Sequence, residues 1–320
     1  MKTIGVVTTG GDAPGMNAAI RAVTRIGAQK GVQVLGFERG WEGVITNSFR
    51  HLTPRSVGGI VQLGGTMLHT ARCPEFKTIE GMQKATHTLS LNHVEGLVVI
   101  GGDGSFRGAL DLSKHCDTLM AGIPATIDND VYGTEETIGF DTAVNTAVAE
   151  IDKIRDTAIS HERIFIVEVM GRERGFLALT VGITVGAEVI LVPESHCELS
   201  MVVDTLLENS RKGKKAGIVV AAEGCGRVSQ LAHEIETQTG SEVRLSILGY
   251  AQRGGSPTAR SRLLASVFAE KAVNLLCEGQ GNQAVGLQNG KVGSMPLEEA
   301  CSKTKQLDAN LLKLADMLAT

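Results

Sequence analysis

No stretch of this 320-residue sequence reaches about 18 consecutive apolar residues, so no transmembrane helix is expected. The N-terminal Met1-Lys2-Thr3-Ile4-Gly5-Val6-Val7 runs directly into a strand pattern, without the apolar h-region or cleavage site of a signal peptide. An excess of basic residues is also missing. Thirty-one Lys and Arg stand against 35 Asp and Glu, a formal net charge of −4, whereas a nucleic-acid binder would carry a basic face. The cysteines at 73, 116, 197, 225, 277 and 301 are scattered and form no CxxC pair. Neither a disulfide framework nor a zinc site is therefore expected, and a reducing cytoplasm is. The two common nucleotide fingerprints are absent. There is no GxxxxGK[ST] loop, and after Gly102 and Gly104 the third place of GxGxxG is held by Arg107, with Gly108 one residue late.

What the chain does have is glycine, 39 residues of 320, well above the ~7% of average proteins. Many of these glycines sit at the ends of apolar runs, where backbone must turn tightly or approach a ligand. The length fits one large or two medium domains. Short apolar runs at 3–8, 32–38, 95–101, 118–123, 163–169, 188–193, 216–222 and 244–249 read as strands. They alternate with helical patterns such as 16–30 and 138–158, which predicts an α/β fold with a mainly parallel sheet and helices on both faces. On 138–158 the residues Val144, Ala147, Val148, Ile151, Ile154 and Ala158 form one apolar stripe. No biased linker divides the chain. The segment from Asp130 to Ile138 reads as a crossing between two domains, and 257–300 reads as a return to the first. In that return Ser256-Pro257 opens a helix and 283–289 forms an edge strand.

Two βα loops carry the chemistry. Thr8-Thr9-Gly10-Gly11-Asp12-Ala13-Pro14-Gly15 joins the first strand to the first helix, where free amides and the helix dipole favour an anion. Gly101-Gly102-Asp103-Gly104-Ser105 follows the strand Gly96-Leu97-Val98-Val99-Ile100 and places Asp103 where a metal ion would meet a polyphosphate. Taken alone, the first loop is equally well a plain turn and Asp103 an N-cap. A third segment, Thr126-Ile127-Asp128-Asn129-Asp130, sets two carboxylates two residues apart. In extended backbone they share a side, and their repulsion must be offset by a cation, hydrogen bonds or a raised pKa. Amides for phosphate oxygens, carboxylates for magnesium and a base beside an acceptor hydroxyl are what phosphoryl transfer requires.

These segments, Val169-Met170-Gly171-Arg172 and Gln252-Arg253-Gly254-Gly255 resemble, in order and spacing, the bacterial ATP-dependent 6-phosphofructokinase family, from the first strand to near residue 290. The resemblance implies two stacked three-layer αβα domains with mainly parallel sheets. An ATP domain would span 1–138 and 252–300, and a fructose 6-phosphate domain 139–251 and 301–320. It implies Asp128 as base, helped by Thr126, Arg172 and Gly11, with magnesium at Asp103 and Asp130. Gly11, Arg72, Cys73, Gly102, Asp103, Gly104 and Ser105 would line the ATP site. Thr126, Ile127, Asp128, Met170, Gly171, Arg172, Glu223, Tyr250 and Arg253 would meet the sugar phosphate. Arg163 and Arg244 would reach it across a subunit interface of a homotetramer. Arg21, Arg25, Arg155, Gly186, Glu188, Lys212 and Lys214 match the pocket where ADP or phosphoenolpyruvate acts as effector.

The match has departures. Pyrophosphate-dependent relatives resemble GGDD and PKTIDND; here the positions are Gly104 and Ala125, which favours ATP, although Gly is the usual residue at 125 in ATP users. Tyr250 stands where His is usual and cannot become cationic near neutral pH. Cys73 replaces an aromatic. Pro54, Gly59 and Ala216 replace Arg, Asp and His at the effector pocket. The alternatives within the fold are a pyrophosphate-dependent or altered-sugar kinase; outside it, a non-catalytic sensor of phosphorylated metabolites.

Overall fold

Alternation of short apolar runs with amphipathic helices produces two mainly parallel sheets in the computed structural model, which describes residues 1–195, 199–226 and 228–319. In chain order the strands are β1 Thr3–Thr8, β2 Gln33–Phe37, β3 Phe49–Leu52, β4 Gly96–Gly101, β5 Leu119–Thr126, β6 Ile138–Gly139, β7 Ile164–Val169, β8 Val189–Leu191, β9 Gly217–Ala222, β10 Val243–Ile247, β11 Gln283–Gln288 and β12 Lys291–Pro296. The chain forms two compact units, Met1–Thr142 with Arg253–Lys305, and Ala143–Gln252 with the residues from Gln306 on.

The first unit holds an eight-stranded sheet in the order β12-β11-β5-β4-β1-β2-β3, with β6 alongside β5. Its pairs are parallel except β2–β3 and β11–β12. Thr8 is opposite Ile100 and Gly101 is opposite Pro124, so β1, β4 and β5 finish at one edge and their loops emerge together. Phe37, Phe76, Leu89, Leu97, Phe106 and Leu112 fill the core under the helices Ile79–Leu91 and Asp103–Ser113. The helices Met16–Gln29 and Ala259–Cys277 pack together on the other face. The helices that follow β1 and β4 thus leave on opposite faces, which opens a crevice between those strand ends, the place where open α/β sheets bind ligands.

The second unit is a four-stranded parallel sheet in the order β10-β7-β9-β8. Ile164, Ile166, Val219 and Ala221 meet Val202, Leu206, Val228 and Ile235 on one face. The almost wholly apolar helix Phe176–Val185 lies against β8 and β9. On the helix Phe140–His161, Val144, Ala147, Ile151 and Ala158 are buried, while Val148 and Ile154 are only half-buried.

Several boundaries differ from the sequence reading. The long helix begins at Phe140, because Ile138–Gly139 pairs with β5 as β6 and Gly139 has a φ of 102°. The helix expected to open at Ser256-Pro257 is capped by Thr258, whose hydroxyl accepts from Ser261 N. The segment 283–289 is not an edge: β12 pairs outside it through Asn289-Gly290, both at positive φ, a two-residue hairpin turn. Residues 301–305 belong to the first unit, where Cys301 is buried and Lys305 Nζ donates to Glu135 O at 3.0 Å. Among the described residues no helix is long and apolar enough to cross a membrane. Cys73, Cys116, Cys277 and Cys301 are free thiols; Cys197 lies outside the described residues.

Candidate active site

At the shared edge of β1, β4 and β5 the first unit assembles three loops. Gly10 and Gly15 take φ of 82° and 114°, which bends the 9–15 segment into the helix Met16–Gln29. Ser105 is buried, and its hydroxyl donates to Thr9 O at 3.0 Å. That hydroxyl therefore ties the first loop to the second, and its buried position leaves the backbone as the part of Ser105 that can face a ligand. Thr70 donates to Gly10 O at 2.8 Å and Thr8 to His69 O at 3.0 Å, so the stretch carrying Arg72 and Cys73 runs beside the same loop. Arg72 is exposed; Cys73 is half-buried against the core that holds the stacked Trp41–Phe76 pair.

Asp103 opens the helix Asp103–Ser113 behind Gly102, an N-cap with no side chain to bond the first turn; Ser105 N donates to Gly102 O at 2.9 Å. The Asp103 carboxylate does not cap; it accepts from Arg107 Nε at 2.8 Å. A Cβ placed on Gly102 would lie 3.5 Å from Thr126 Cβ, which locates the end of β5 directly beside this turn. Around Gly104, beyond its chain neighbours and its own helix backbone, no protein atom lies within 4 Å of such a Cβ.

The acid segment is not extended. Asn129 has a φ of 53°, so the period-two argument for Asp128 and Asp130 does not apply. What orders the turn is hydrogen bonding. Asp128 N donates to Thr126 Oγ1 at 3.2 Å, Thr137 N donates to Asn129 Oδ1 at 3.1 Å, and the Thr137 hydroxyl donates to Thr126 O at 2.6 Å. Asp128 is buried, only 5% exposed, next to buried Ile127. Asp130 is half-buried. Lys305, which the sequence reading missed, joins this corner: burial pushes its amine down to about 8, against the charges of Asp130, Glu136 and Glu135. Nothing local could have marked it, since it lies far along the chain. Arg253, also of the first unit, donates to Asp12 Oδ1 at 2.8 Å and lies over Gly11, where a Cβ would come within 2.5 Å of its Nη2. Only glycine fits at 11 without moving that guanidinium.

In the second unit the ends of β7, β9 and β10 carry Met170–Arg172, Glu223 and Tyr250. Gly171 and Arg172 take φ of 135° and 53°. Glu223 Oε1 accepts from Gly171 N at 3.2 Å and Arg172 N at 2.5 Å, so this carboxylate clamps the turn. Buried Gln252 accepts from Met170 N at 2.9 Å, a support that no motif announced. Burial, aided by the Glu223 charge, pushes Glu168 above the ordinary carboxylate range. Tyr250 is 78% exposed.

Arg163 and Arg244 are not in this cluster. Arg163 precedes β7 and Arg244 stands opposite Phe165, at the amino ends of strands whose carboxyl ends carry Met170 and Tyr250. Six residues of β7 separate the two ends by about 20 Å at ~3.3 Å per residue. Both arginines pair with Glu242.

The same amino edge bears a cavity of about 390 Å³ lined by Arg155, Glu162, Glu188, Lys214, Lys215 and Ala216, among others. Buried Glu188 is 2.7 Å from Lys214 Nζ, and Arg155 donates to Val185 O and Gly186 O. Lys212 instead pairs with Glu208 and is not among the lining residues. Arg21 and Arg25 lie on the helix Met16–Gln29 of the first unit, and Pro54 and Gly59 in an exposed loop of the same unit.

The phosphofructokinase family model matches residues 3–276. An ATP-dependent 6-phosphofructokinase of Lysinibacillus sphaericus is 52% identical over 319 residues, covering 100% of both chains. One from Halalkalibacterium halodurans is 48% identical over the same length and coverage. Among solved structures, the T-state phosphofructokinase of Pichia pastoris superposes with a TM-score of 0.90 at 33% identity over 99% of this chain, which spans 36% of the yeast one. A pyrophosphate-dependent phosphofructokinase from Marinobacter aquaeolei shares the fold, with a TM-score of 0.86 at 19% identity over 97% of this chain and 86% of its own.

Proposed function

The chain belongs to the phosphofructokinase family, and on that premise we infer that it transfers the terminal phosphoryl group of ATP to the 1-hydroxyl of fructose 6-phosphate. The observation that carries the reading is the buried Asp128 at the end of β5, in a hydrogen-bonded turn beside the Gly102–Ser105 loop. Asp128 takes the proton of the attacking hydroxyl. Its desolvated carboxylate and rigid turn hold the base in place before the sugar arrives. Thr126 supports that turn and borders the phosphoryl path. Gly11 and the amides of Gly102, Asp103 and Gly104 receive phosphate oxygens, Ser105 holds the two loops together through its hydroxyl, and Arg72 and Cys73 stand at the nucleotide's edge.

Magnesium fits these residues. Asp103 and Asp130 supply hard oxygens, and among the described residues no cluster of three or more His, Cys, Asp or Glu is built to hold a metal alone. A magnesium ion takes one or two carboxylates and completes its shell with water and phosphate oxygens. When bound, it offsets the negative charge of the triphosphate. Arg172 offsets charge on the transferred group, and the turn of Met170 and Gly171, clamped by Glu223, holds the sugar with Tyr250 and Arg253. The first unit is thus the ATP domain and the second the sugar-phosphate domain of a cytoplasmic enzyme.

Gly104 selects the donor. The open space around it would admit a side chain, so glycine there serves the ligand rather than the fold. Steady-state kinetics with ATP and pyrophosphate side by side test the reading, and preference for pyrophosphate would overturn it. Gly104→Asp is expected to raise KM for ATP about tenfold or more, since like charges brought together cost several kcal/mol.

The position of Arg163 and Arg244, at the edge remote from Met170 and Glu223, supports completion of each site by a neighbouring subunit in a homotetramer. The cavity at Arg155, Glu188 and Lys214 is the effector site for ADP or phosphoenolpyruvate. Pro54, Gly59 and Ala216 remove an arginine fork and other contacts there, so control is weak. A phosphoenolpyruvate titration should show shallow, non-cooperative inhibition; strong cooperative inhibition would refute this.

A further inference from the structure

We propose that Glu242 is an internal competitor for the phosphate group of the sugar, occupying the Arg163–Arg244 pair until substrate displaces it. The inference rests on the functional reading above, in which those two arginines receive that phosphate. Glu242 bridges them as a phosphate would. Its Oε2 accepts from Arg163 Nε at 2.6 Å, and its Oε1 accepts from Arg244 Nη2. One oxygen for each guanidinium is the arrangement of a bidentate oxyanion.

The carboxylate is held there by the ladder. Ile164 N donates to Glu242 O at 3.0 Å, and β10 runs parallel to β7 from the next residue, with Val243 opposite Ile164 and Arg244 opposite Phe165. The register alone therefore sets Glu242 beside Arg163 and just ahead of Arg244. Arg163 and Glu242 are half-buried, whereas Arg244 is exposed. An ion pair this accessible to water contributes little to the stability of the unit. It does neutralise one of two positive charges at a place where an anion is to bind. The hydrogen bond from Arg163, with the charges of both arginines, holds Glu242 below the ordinary carboxylate range, so it stays ionised at neutral pH. A monoanion there is displaced by a phosphate of charge about −1.5 to −2, which binds the same fork more strongly.

The test compares wild-type enzyme with Glu242→Gln and Glu242→Asp. Glu242→Gln should lower KM for fructose 6-phosphate about two- to fivefold, the range of an exposed ion pair, with kcat and KM for ATP held. Inorganic phosphate should become a stronger competitive inhibitor by the same factor. Both effects should shrink at high salt. Glu242→Asp, whose carboxylate falls one methylene short, should lie between; it carries the test if the Gln variant fails to fold. An unchanged or raised KM in a variant with wild-type melting temperature would overturn the proposal, and would identify Glu242 as a support for the arginines. Wild-type enzyme inactive on fructose 6-phosphate would overturn the functional reading instead. Direct phosphate titration of wild type and Glu242→Gln would then decide on Glu242 by itself.

Discussion

Asp128→Asn should lower kcat by about 10²–10⁴-fold, the usual worth of a positioned base, while KM for fructose 6-phosphate changes little. An amide has nearly the same shape as the carboxylate but cannot accept the hydroxyl proton. Three bonds that shape the turn do not use the carboxylate. They run from Asp128 N to Thr126 Oγ1, from Thr137 N to Asn129 Oδ1 and from the Thr137 hydroxyl to Thr126 O, and all survive the substitution. The melting temperature should therefore hold, which separates a lost base from a damaged fold. A folded Asp128→Asn enzyme within tenfold of wild-type kcat would remove Asp128 from the base role.

The second large effect concerns Arg163. Arg163→Ala should raise KM for fructose 6-phosphate about 10- to 150-fold, because a hydrogen bond to a charged group contributes ~1.5–3 kcal/mol. Its kcat should stay near wild type, since the base and the nucleotide loops lie elsewhere. The position of Arg163 at the amino edge of β7 leads to a sharper expectation. When Arg163→Ala and Asp128→Asn chains are co-expressed, some sites take Asp128 from one chain and Arg163 from the other. With random pairing across a two-fold interface, about a quarter of wild-type activity at low substrate should return. Hybrids no more active than the parent variants would show that each chain completes its own site.

Much of this was legible in the residues. The runs at 3–8, 95–101, 163–169 and 216–222 are predominantly apolar, as strands covered by helices must be, and each became a strand within one residue. The βα loops were legible because glycine and aspartate cluster where a strand ends, and a parallel sheet gathers those ends at one edge. β3, β6 and β12 were not legible. β3 is four residues with two exposed polar side chains, β6 only two residues, and β12 contains glycine and ends on proline. Each is a strand because a better-formed neighbour offers it hydrogen bonds. The Asn289-Gly290 turn was a missed signal, since that dipeptide marks a hairpin even between weak strands.

By itself, the sequence determined the parallel α/β class, the glycine-rich βα loops and the glycine at 104, because turn geometry and side-chain chemistry are local properties. The tertiary structure decided where the groups went. It bent the acid segment through Asn129, so that Asp128 is buried in a turn where its N–H donates to Thr126, and Thr137 donates to Thr126 and Asn129, rather than aligned with Asp130 by strand alternation. It turned the Ser105 hydroxyl inward, laid Arg253 over Gly11 and brought Lys305 to the acid corner. It also set Arg163 and Arg244 around Glu242 at the strand edge opposite Met170 and Glu223. These are pairings between residues distant in the chain, and they depend on register and strand direction, which exist only once the sheets have formed.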